Sequence, residues 1–445
     1  MINFFKKHLT VFILILALIL TPQSLNIQSE LKMRIIMTAI GVDYSDNKYE
    51  VTAQVVRPQN GSEGGGRTAQ LDFLTTEGDS IAEALYEISF QIGKTAGLGH
   101  VNTVVFGKSL VEEGKVLPAI DYFVRDARIP SSSLLLVAEA EAKDELKNTS
   151  SLELSTAISM QKLFLYKELS MNGVMMQLEQ FLNFHNRIGK TVLISGIKFE
   201  DESSKESSGG SGSSGGEKGG SSGESGGSSG GSSGGGSLSS SGGGGSSSGG
   251  SSSSGGNSSN VSKRIKYDNS VYMFKDGKLA HKFESDEEFN GINYLNTKSQ
   301  YGIIHVEGVN DEVYYNANVD LYVRDKKLRY TCKFEDGKPI CKLHISTSRN
   351  EIAEITDQKG SSVELYYTEK DFITDALKEK VEEKIINSCM TVFNKAKEVG
   401  CDILHLGEKL YRKHPKQWKE FYAQYGEDYL NQIAFEIEVS IIKTI

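Results

Sequence analysis

An α+β protein of two to three mixed domains, with predominantly antiparallel sheets behind an N-terminal membrane anchor, follows from three features of this chain. Alternating apolar runs closed by tight Asp, Asn and Gly turns recur in both halves, as at Tyr49–Val56 and on either side of Asp336–Gly337, and read as hairpin strands. Among them lie segments whose apolar residues repeat at i, i+4, i+7 and i+11, the spacing of a helix with one buried face. An apolar leader, Leu9–Leu20, precedes the first strand, and a tract of nearly pure Ser and Gly, from about Ser203 to Ser259, parts the two halves.

Lys6, Lys7 and His8 stand before the leader's uninterrupted run LTVFILILALIL. Its length suits a signal-peptide core and falls short of the roughly 20 residues that span a bilayer. Asp, Glu, Lys and Arg are absent from there to Glu30, so a longer insertion through Leu25 or Ile27 also fits. Lysines before the run hold the N-terminus inside and send the rest of the chain out of the cytoplasm. No small-x-small cleavage site stands out, and residues 1–29 read as a signal peptide or an uncleaved signal anchor.

Residues 30–200 read as an N-terminal α+β domain. Ile35–Val42 is an apolar strand, Ser45-Asp46-Asn47 is turn chemistry, and Tyr49–Val56 alternates. Ser80-x-x-Glu83 opens a helix as a capping box, and Ile81, Leu85, Ile88 and Ile92 form its buried stripe. A strand at Val101–Phe106 leads to a helix at Val116–Arg125, where Pro118 is tolerated in the first turn. The run Leu134–Ala138 is too apolar for an open surface and is expected to be buried on both faces. Helices at about Thr156–Leu169 and Val174–His185 and a strand at Thr191–Phe199 complete this half.

Residues 201–262 are a Ser/Gly-rich coil that cannot bury a core, with an r.m.s. reach of about 40–45 Å. An interdomain linker and an insertion into a surface loop both fit it. Residues 263–445 read as a C-terminal α+β domain. Val271–Phe274 and Lys278–Phe283 flank the turn Asp276–Gly277, and strands follow at Tyr301–Val306 and Tyr315–Val323. Tyr330–Phe334 and Pro339–Ile345 form a hairpin around Asp336–Gly337. A long helix from about Glu369 to Val399 stops at Gly400, shorter helices follow at Ile403–Arg412 and Pro415–Tyr425, and an alternating strand carries Phe435, Ile437, Val439 and Ile441.

The formal net charge of −9 argues against nucleic acid as a partner. Two Gly-Lys-Thr triplets, Gly93–Thr95 and Gly189–Thr191, lack the glycine that a phosphate loop needs five residues earlier, where Ile88 and Phe184 stand. The histidines show no metal-ligand spacing, and no nucleophile elbow or paired acid–base signature is present, so no enzyme activity and no cofactor are expected. His100 reads as a capping or core residue. A two-residue turn at Asp336–Gly337 sets Cys332 opposite Cys341, as a disulfide or as two packed thiols; Cys389 and Cys401 lie too far apart along a helix to join. Arg412, Lys413, Lys416 and Lys419 surround Trp418, either as a solvated helix face over a buried indole or as a contact for anionic lipid or an acidic partner. Arg125–Asp126 reads as a local cap or ion pair at a helix end, or as a docking element.

The string from Gly97 to Leu146 resembles the C-subunit family of spore nutrient-germination receptors, the GerC-type proteins. The resemblance is carried by Gly99–His100, Asn102, Gly107, Arg125–Asp126 and Ala142–Leu146. It extends to Gly41–Asp43 and Val51–Pro58 at the start, and to Ser195–Ile197 and Phe274–Leu279 around the Ser/Gly tract, which it favours as a loop insertion. A second string, Asp402, Gly407, Leu410, Arg412, Pro415 and Trp418, matches as well. The resemblance implies α+β domains outside the membrane, in a non-catalytic subunit on the outer face of the spore inner membrane. It implies assembly with multi-pass A and transporter-like B membrane subunits, action in receptor assembly and germination signalling, and no small molecule bound independently. Such proteins are typically lipoproteins with a Cys just after the apolar core. Here the first cysteine is Cys332, so a helical signal anchor is expected instead. An extracytoplasmic solute-binding protein feeding a transporter is the alternative class.

Overall fold

The computed structural model of the chain describes residues 8–9, 33–58, 69–147, 156–198, 269–357 and 373–442. Apart from His8 and Leu9, the expected anchor lies outside the described residues, as do the Ser/Gly tract and the expected helix start at Glu369. Among the described residues no helix is long and apolar enough to cross a membrane.

The first lobe opens with three antiparallel strands, β1 (Arg34–Ser45), β2 (Lys48–Pro58) and β3 (Ala69–Gly78). Asp46 and Asn47 turn β1 into β2 with φ of 52° and 62°, the left-handed backbone that Asp and Asn tolerate in a two-residue hairpin. Helix α1 (Ile81–Ile92) is capped by Ser80, which accepts from the Glu83 N–H at 3.1 Å. Its stripe Ile81, Leu85 and Ile88 is buried, and Ile92 packs beside it.

Next come β4 (Thr95–Gly97), β5 (Thr103–Phe106), α2 (Lys108–Glu112), α3 (Val116–Arg125) and β6 (Leu134–Ala138). They are followed by α4 (Ala142–Lys147), α5 (Thr156–Leu169), β7 (Met176–Gln177), α6 (Leu178–His185) and β8 (Thr191–Ile197). Two strands from beyond the Ser/Gly tract, β9 (Val271–Lys275) and β10 (Lys278–Phe283), complete a sheet of order β10-β9-β8-β6-β5-β1-β2-β3. Its centre, β8-β6-β5-β1, is parallel, with antiparallel strands on both sides. The tract therefore joins two strands that pair directly, Thr191 opposite Lys275 and Ser195 opposite Val271.

β6 is buried on both faces, as its composition requires. Leu135 and Val137 pack with Ile40 and Val42, whereas Leu134, Leu136 and Ala138 pack with Met160 and Phe164 of α5. A parallel strand at the centre of a sheet has helices or other cover above and below, so alternation is lost.

The second lobe contains α7 (Asp286–Leu295), β11 (Gly302–Val309), β12 (Ala317–Glu335), β13 (Lys338–Asp357), α8 (Asp375–Glu398), α9 (Leu406–Lys413), α10 (Pro415–Tyr425) and β14 (Ala434–Ile441). Its sheet runs β11-β12-β13-β14, with only the last pair parallel. Antiparallel pairings predominate across the two sheets.

Several boundaries differ from the sequence reading. The strands expected at Tyr315–Val323 and Tyr330–Phe334 merge into one, β12, which begins at Ala317, because irregularities between Asp320 and Lys327 absorb the break and let the ladder resume. The helix expected from Val174 starts at Leu178, since Ser195 Oγ binds both the N–H and the C=O of Val174 and holds it extended. The long helix starts at Asp375, where Thr374 accepts the Leu377 N–H. Helix α7 is new, although its Ser285–Glu288 capping box stands in the sequence.

Candidate functional site

In each lobe a buried aspartate accepts the first amides of a helix. Asp43, at the end of β1, accepts the Ala142 and Lys143 N–H groups of α4 at 2.8 and 3.1 Å. Burial pushes its carboxyl up to about 6, and the two amides pull the other way. A Cβ on Gly107 would lie 1.6 Å from Asp43 Oδ1, so only glycine fits there. Asp402 accepts the Leu406 and Gly407 N–H groups of α9, both at 2.8 Å, and the Tyr429 hydroxyl at 2.9 Å. Burial raises its pKa, again against the helix amides. A Cβ on Gly407 would meet the Trp418 and Tyr429 rings at 3.0 Å.

Between the lobes lies a cleft of about 300 Å³. Its walls are mostly apolar: Val174, Met176 and Leu193 from the first lobe, Ile292 and Leu295 from α7, Ile403 and Leu404 before α9. Three basic side chains converge on it. Arg187 lies over the Phe184 ring at 4.6 Å, and Lys409 lies 4.1 Å from the Tyr330 ring centre while donating to the Leu404 carbonyl. His405 adopts a left-handed backbone at φ 51° and stacks on Phe184 at 4.9 Å. Its buried Nδ1 has no hydrogen-bond partner. Burial, then the charges of Arg187 and Lys409, push the imidazole down to about 3, and burial pushes Lys409 down to about 8. No carboxylate lines the cleft among the described residues. Its three basic residues were not singled out by sequence, because the lining comes from segments spread over more than 200 positions and forms no local motif.

The residues singled out by sequence lie elsewhere. Arg125 and Asp126 end α3 but do not pair with each other: Arg125 binds Asp121 at 2.7 Å, and Asp126 accepts from Arg128 at 2.6 and 2.8 Å. These Arg128 bonds hold the Asp126 carboxyl below the usual range. Arg412 pairs with Glu408 at 2.7 Å, whereas Lys413, Lys416 and Lys419 are exposed. Trp418 is only 4% exposed and packs on Tyr422, Tyr429 and Phe421, so its indole belongs to the core beneath these cations. Cys332 and Cys341 sit opposite each other, buried, with Cα atoms 4.2 Å apart and sulfurs in contact. Cys389 and Cys401 are buried and separate. His100 is not in the core: the 3-10 turn Leu98–His100 buries Leu98 and leaves His100 exposed.

A second concave surface was missed. Met33, Tyr86, Phe90, Lys94, Tyr122 and Arg128 line a groove at the point where the chain enters β1. Tyr86 and Phe90 are 72% and 74% exposed, on the face of α1 away from its buried stripe. Thr95 N–H binds the Met33 carbonyl at 2.8 Å and ties the residue before β1 to the groove. The sequence signal was an aromatic pair at i, i+4 opposite the Ile81–Leu85 stripe.

Comparison with known proteins follows this two-lobed division. Residues 28–199 match the spore germination protein N-terminal domain family, and residues 269–442 match the spore germination B3/GerAC-like C-terminal family. Spore germination protein KC of Bacillus subtilis (strain 168) is 20% identical over 445 residues, covering 97% of this chain and 94% of that protein. The crystal structure of the GerBC protein aligns with a TM-score of 0.48 at 15% identity, covering 91% of this chain and 97% of that one.

The His405 environment sets an acid dependence. In the unfolded chain the ring takes a proton below its ordinary value of 6.5, whereas the folded ring stays neutral to about 3. The unfolded state then binds more protons, so stability falls as pH drops through this window. Between pH 7.5 and 5.5 the native chain is expected to lose about 1 kcal/mol more unfolding free energy than His405→Asn. Urea denaturation at both pH values measures it, and equal losses reject the buried neutral ring.

Proposed function

Because the chain belongs to the spore germination receptor C-subunit family, we propose that it is the membrane-tethered, non-catalytic C subunit of a nutrient germinant receptor. In this reading it stands on the outer face of the spore inner membrane, beside multi-pass A and transporter-like B subunits, and serves receptor assembly and germination signalling. The observation that carries the reading is the match of both lobes, residues 28–199 and 269–442, to the two germination families.

The geometry is consistent with a tether. The leader's apolar run ends at Leu20, and the described chain resumes at Met33, beside the groove of Tyr86 and Phe90. A short connection keeps that groove near the bilayer. Exposed aromatic rings beside Lys94 suit the lipid–water interface, where rings favour the headgroup level and a cation meets anionic lipid; Arg128 there is already paired with Asp126. The exposed Lys413, Lys416 and Lys419, with Arg412 engaged by Glu408, form a basic patch suited to an acidic partner surface. Cys332 and Cys341 act, in this reading, as a disulfide across the β12–β13 hairpin of an exported lobe.

Deletion of the gene is expected to abolish the spores' response to nutrients while sparing non-nutrient triggers. Normal nutrient germination in a strain without paralogues rejects the assignment. For the lipid-facing groove, full-length chain with Phe90→Trp in nanodiscs is expected to be quenched by brominated lipid. Trp418 alone, buried in the second lobe, is expected to resist; no difference between the two proteins rejects the orientation. Intact mass after alkylation without reductant is expected to show Cys332 and Cys341 unmodified and to show them labelled once reductant is added. Labelling without reductant means packed thiols.

A further inference from the structure

The cleft between the lobes has the chemistry of a ligand site, and we infer that it binds a small apolar molecule carrying one carboxylate, of the short-chain alkanoate or benzoate class. Its volume of about 300 Å³ falls at the lower end of small-molecule sites, whose walls are mainly apolar with a few convergent polar groups. Leu193, Ile292, Leu295 and Leu404 supply the apolar wall. Arg187 and Lys409 supply the charge; each lies over an aromatic ring, and Lys409 is also attracted by Asp402 and Glu408, neither of which lines the cleft.

The nearest carboxylate, Asp402, attracts Lys409 from behind the cleft wall and is held there. Asp402 is 1% exposed, and its oxygens are occupied by the Leu406 and Gly407 amides and the Tyr429 hydroxyl. Cations left beside an apolar cavity favour an anion that can enter it, because charge pairing strengthens where water is excluded. A neutral ligand gains only a hydrogen bond from them, and a cationic one is repelled. His405 Nδ1, buried and without a partner, offers one further polar contact. The strained backbone of His405 is the kind of local cost found where a side chain is aimed at a function.

This inference departs from the expectation that the chain binds no small molecule unaided. It does not rest on the receptor-subunit reading, and the two can fail separately, since one is read in spores and the other with purified protein. The test uses the full-length chain in nanodiscs, without partner subunits, titrated with sodium benzoate and sodium hexanoate and followed by saturation-transfer NMR. Benzamide and hexanol serve as uncharged controls, and empty nanodiscs report partition into lipid.

Saturable binding of a carboxylate is expected, with affinity reduced about tenfold or more by Arg187→Gln and by Lys409→Met, the loss of one charge-assisted contact. Arg187 is partly exposed, so its variant is expected to keep the native unfolding temperature and to remain a fair test should Lys409→Met fail to fold. The inference is overturned by absence of saturable binding of both carboxylates at millimolar concentration. Equal binding of the uncharged controls, or undiminished affinity in folded Arg187→Gln, overturns it as well.

Discussion

A carboxylate buried against the first amides of a helix is the constraint around which each lobe is arranged. Taking a charge out of water is costly unless donors replace the solvent, and the free N–H groups of a helix start are such donors. Asp43 meets this requirement with α4, and the consequences spread. The end of β1, the glycine after β5 and the start of α4 must all converge, because a side chain at Gly107 would occupy the carboxylate's place. Asp402 does the same for α9, and Gly407 there admits the Trp418 and Tyr429 rings. Gly107, Asp402, Gly407 and Trp418, through which the chain resembles its family, are thus engaged in packing. They identify the fold, and any contact function has to be sought on surfaces between them.

The lobes are not beads on a string. Strand β9 sends Tyr272 and Phe274 into the first lobe's core and Val271 and Met273 into the core of the second. Within the second lobe Lys326 adds a polar lock. The irregular stretch of β12 turns it inward, where its ammonium donates to the carbonyls of Asn293, Tyr294 and Asn296 at 2.6 to 2.8 Å. Burial pushes this lysine down to about 7, and three carbonyls at the negative end of α7 oppose that by favouring the charged form. Glu168 closes the seam from the other side, reaching Lys298 at 3.3 Å.

What the sequence made legible was local. The α1 stripe, the Asp46–Asn47 turn, the apolar β6 and the pairing of Cys332 with Cys341 each depend on a period or a turn within a few residues. Helix α7 escaped because Asn290, Gly291 and Asn293 read as loop; in the folded chain Gly291 is where α7 passes close to the backbone of α8. Lys326 escaped because a lysine in an alternating strand reads as solvated, and only an irregular ladder re-aims it. Arg125 and Asp126 read as a local cap or ion pair, and each has a local partner, Arg125 four residues back at Asp121 and Asp126 just past the helix end at Arg128. The cleft was illegible for a stronger reason, since no pattern in one segment reports the residues that another segment will bring beside it.

That shared core limits how the molecule can transmit anything. A ligand shifts an equilibrium only by its differential affinity for two states, and a hinge between these lobes would have to break the β9 packing and the Glu168–Lys298 pair together. The inexpensive motion lies nearer the cleft. The turn from Asp402 to α9 carries a left-handed His405 whose ring nitrogen is unpartnered and whose neighbours are the cations Arg187 and Lys409. Strain, desolvation and like charge all act on those few residues, while Asp402 behind them is fixed by three hydrogen bonds. Occupancy of the cleft by an anion would relieve the repulsion without disturbing the fold. The basic face carried by the end of α9 and by α10 follows directly in sequence, so a change at His405 reaches a surface suited to a partner through a single helix.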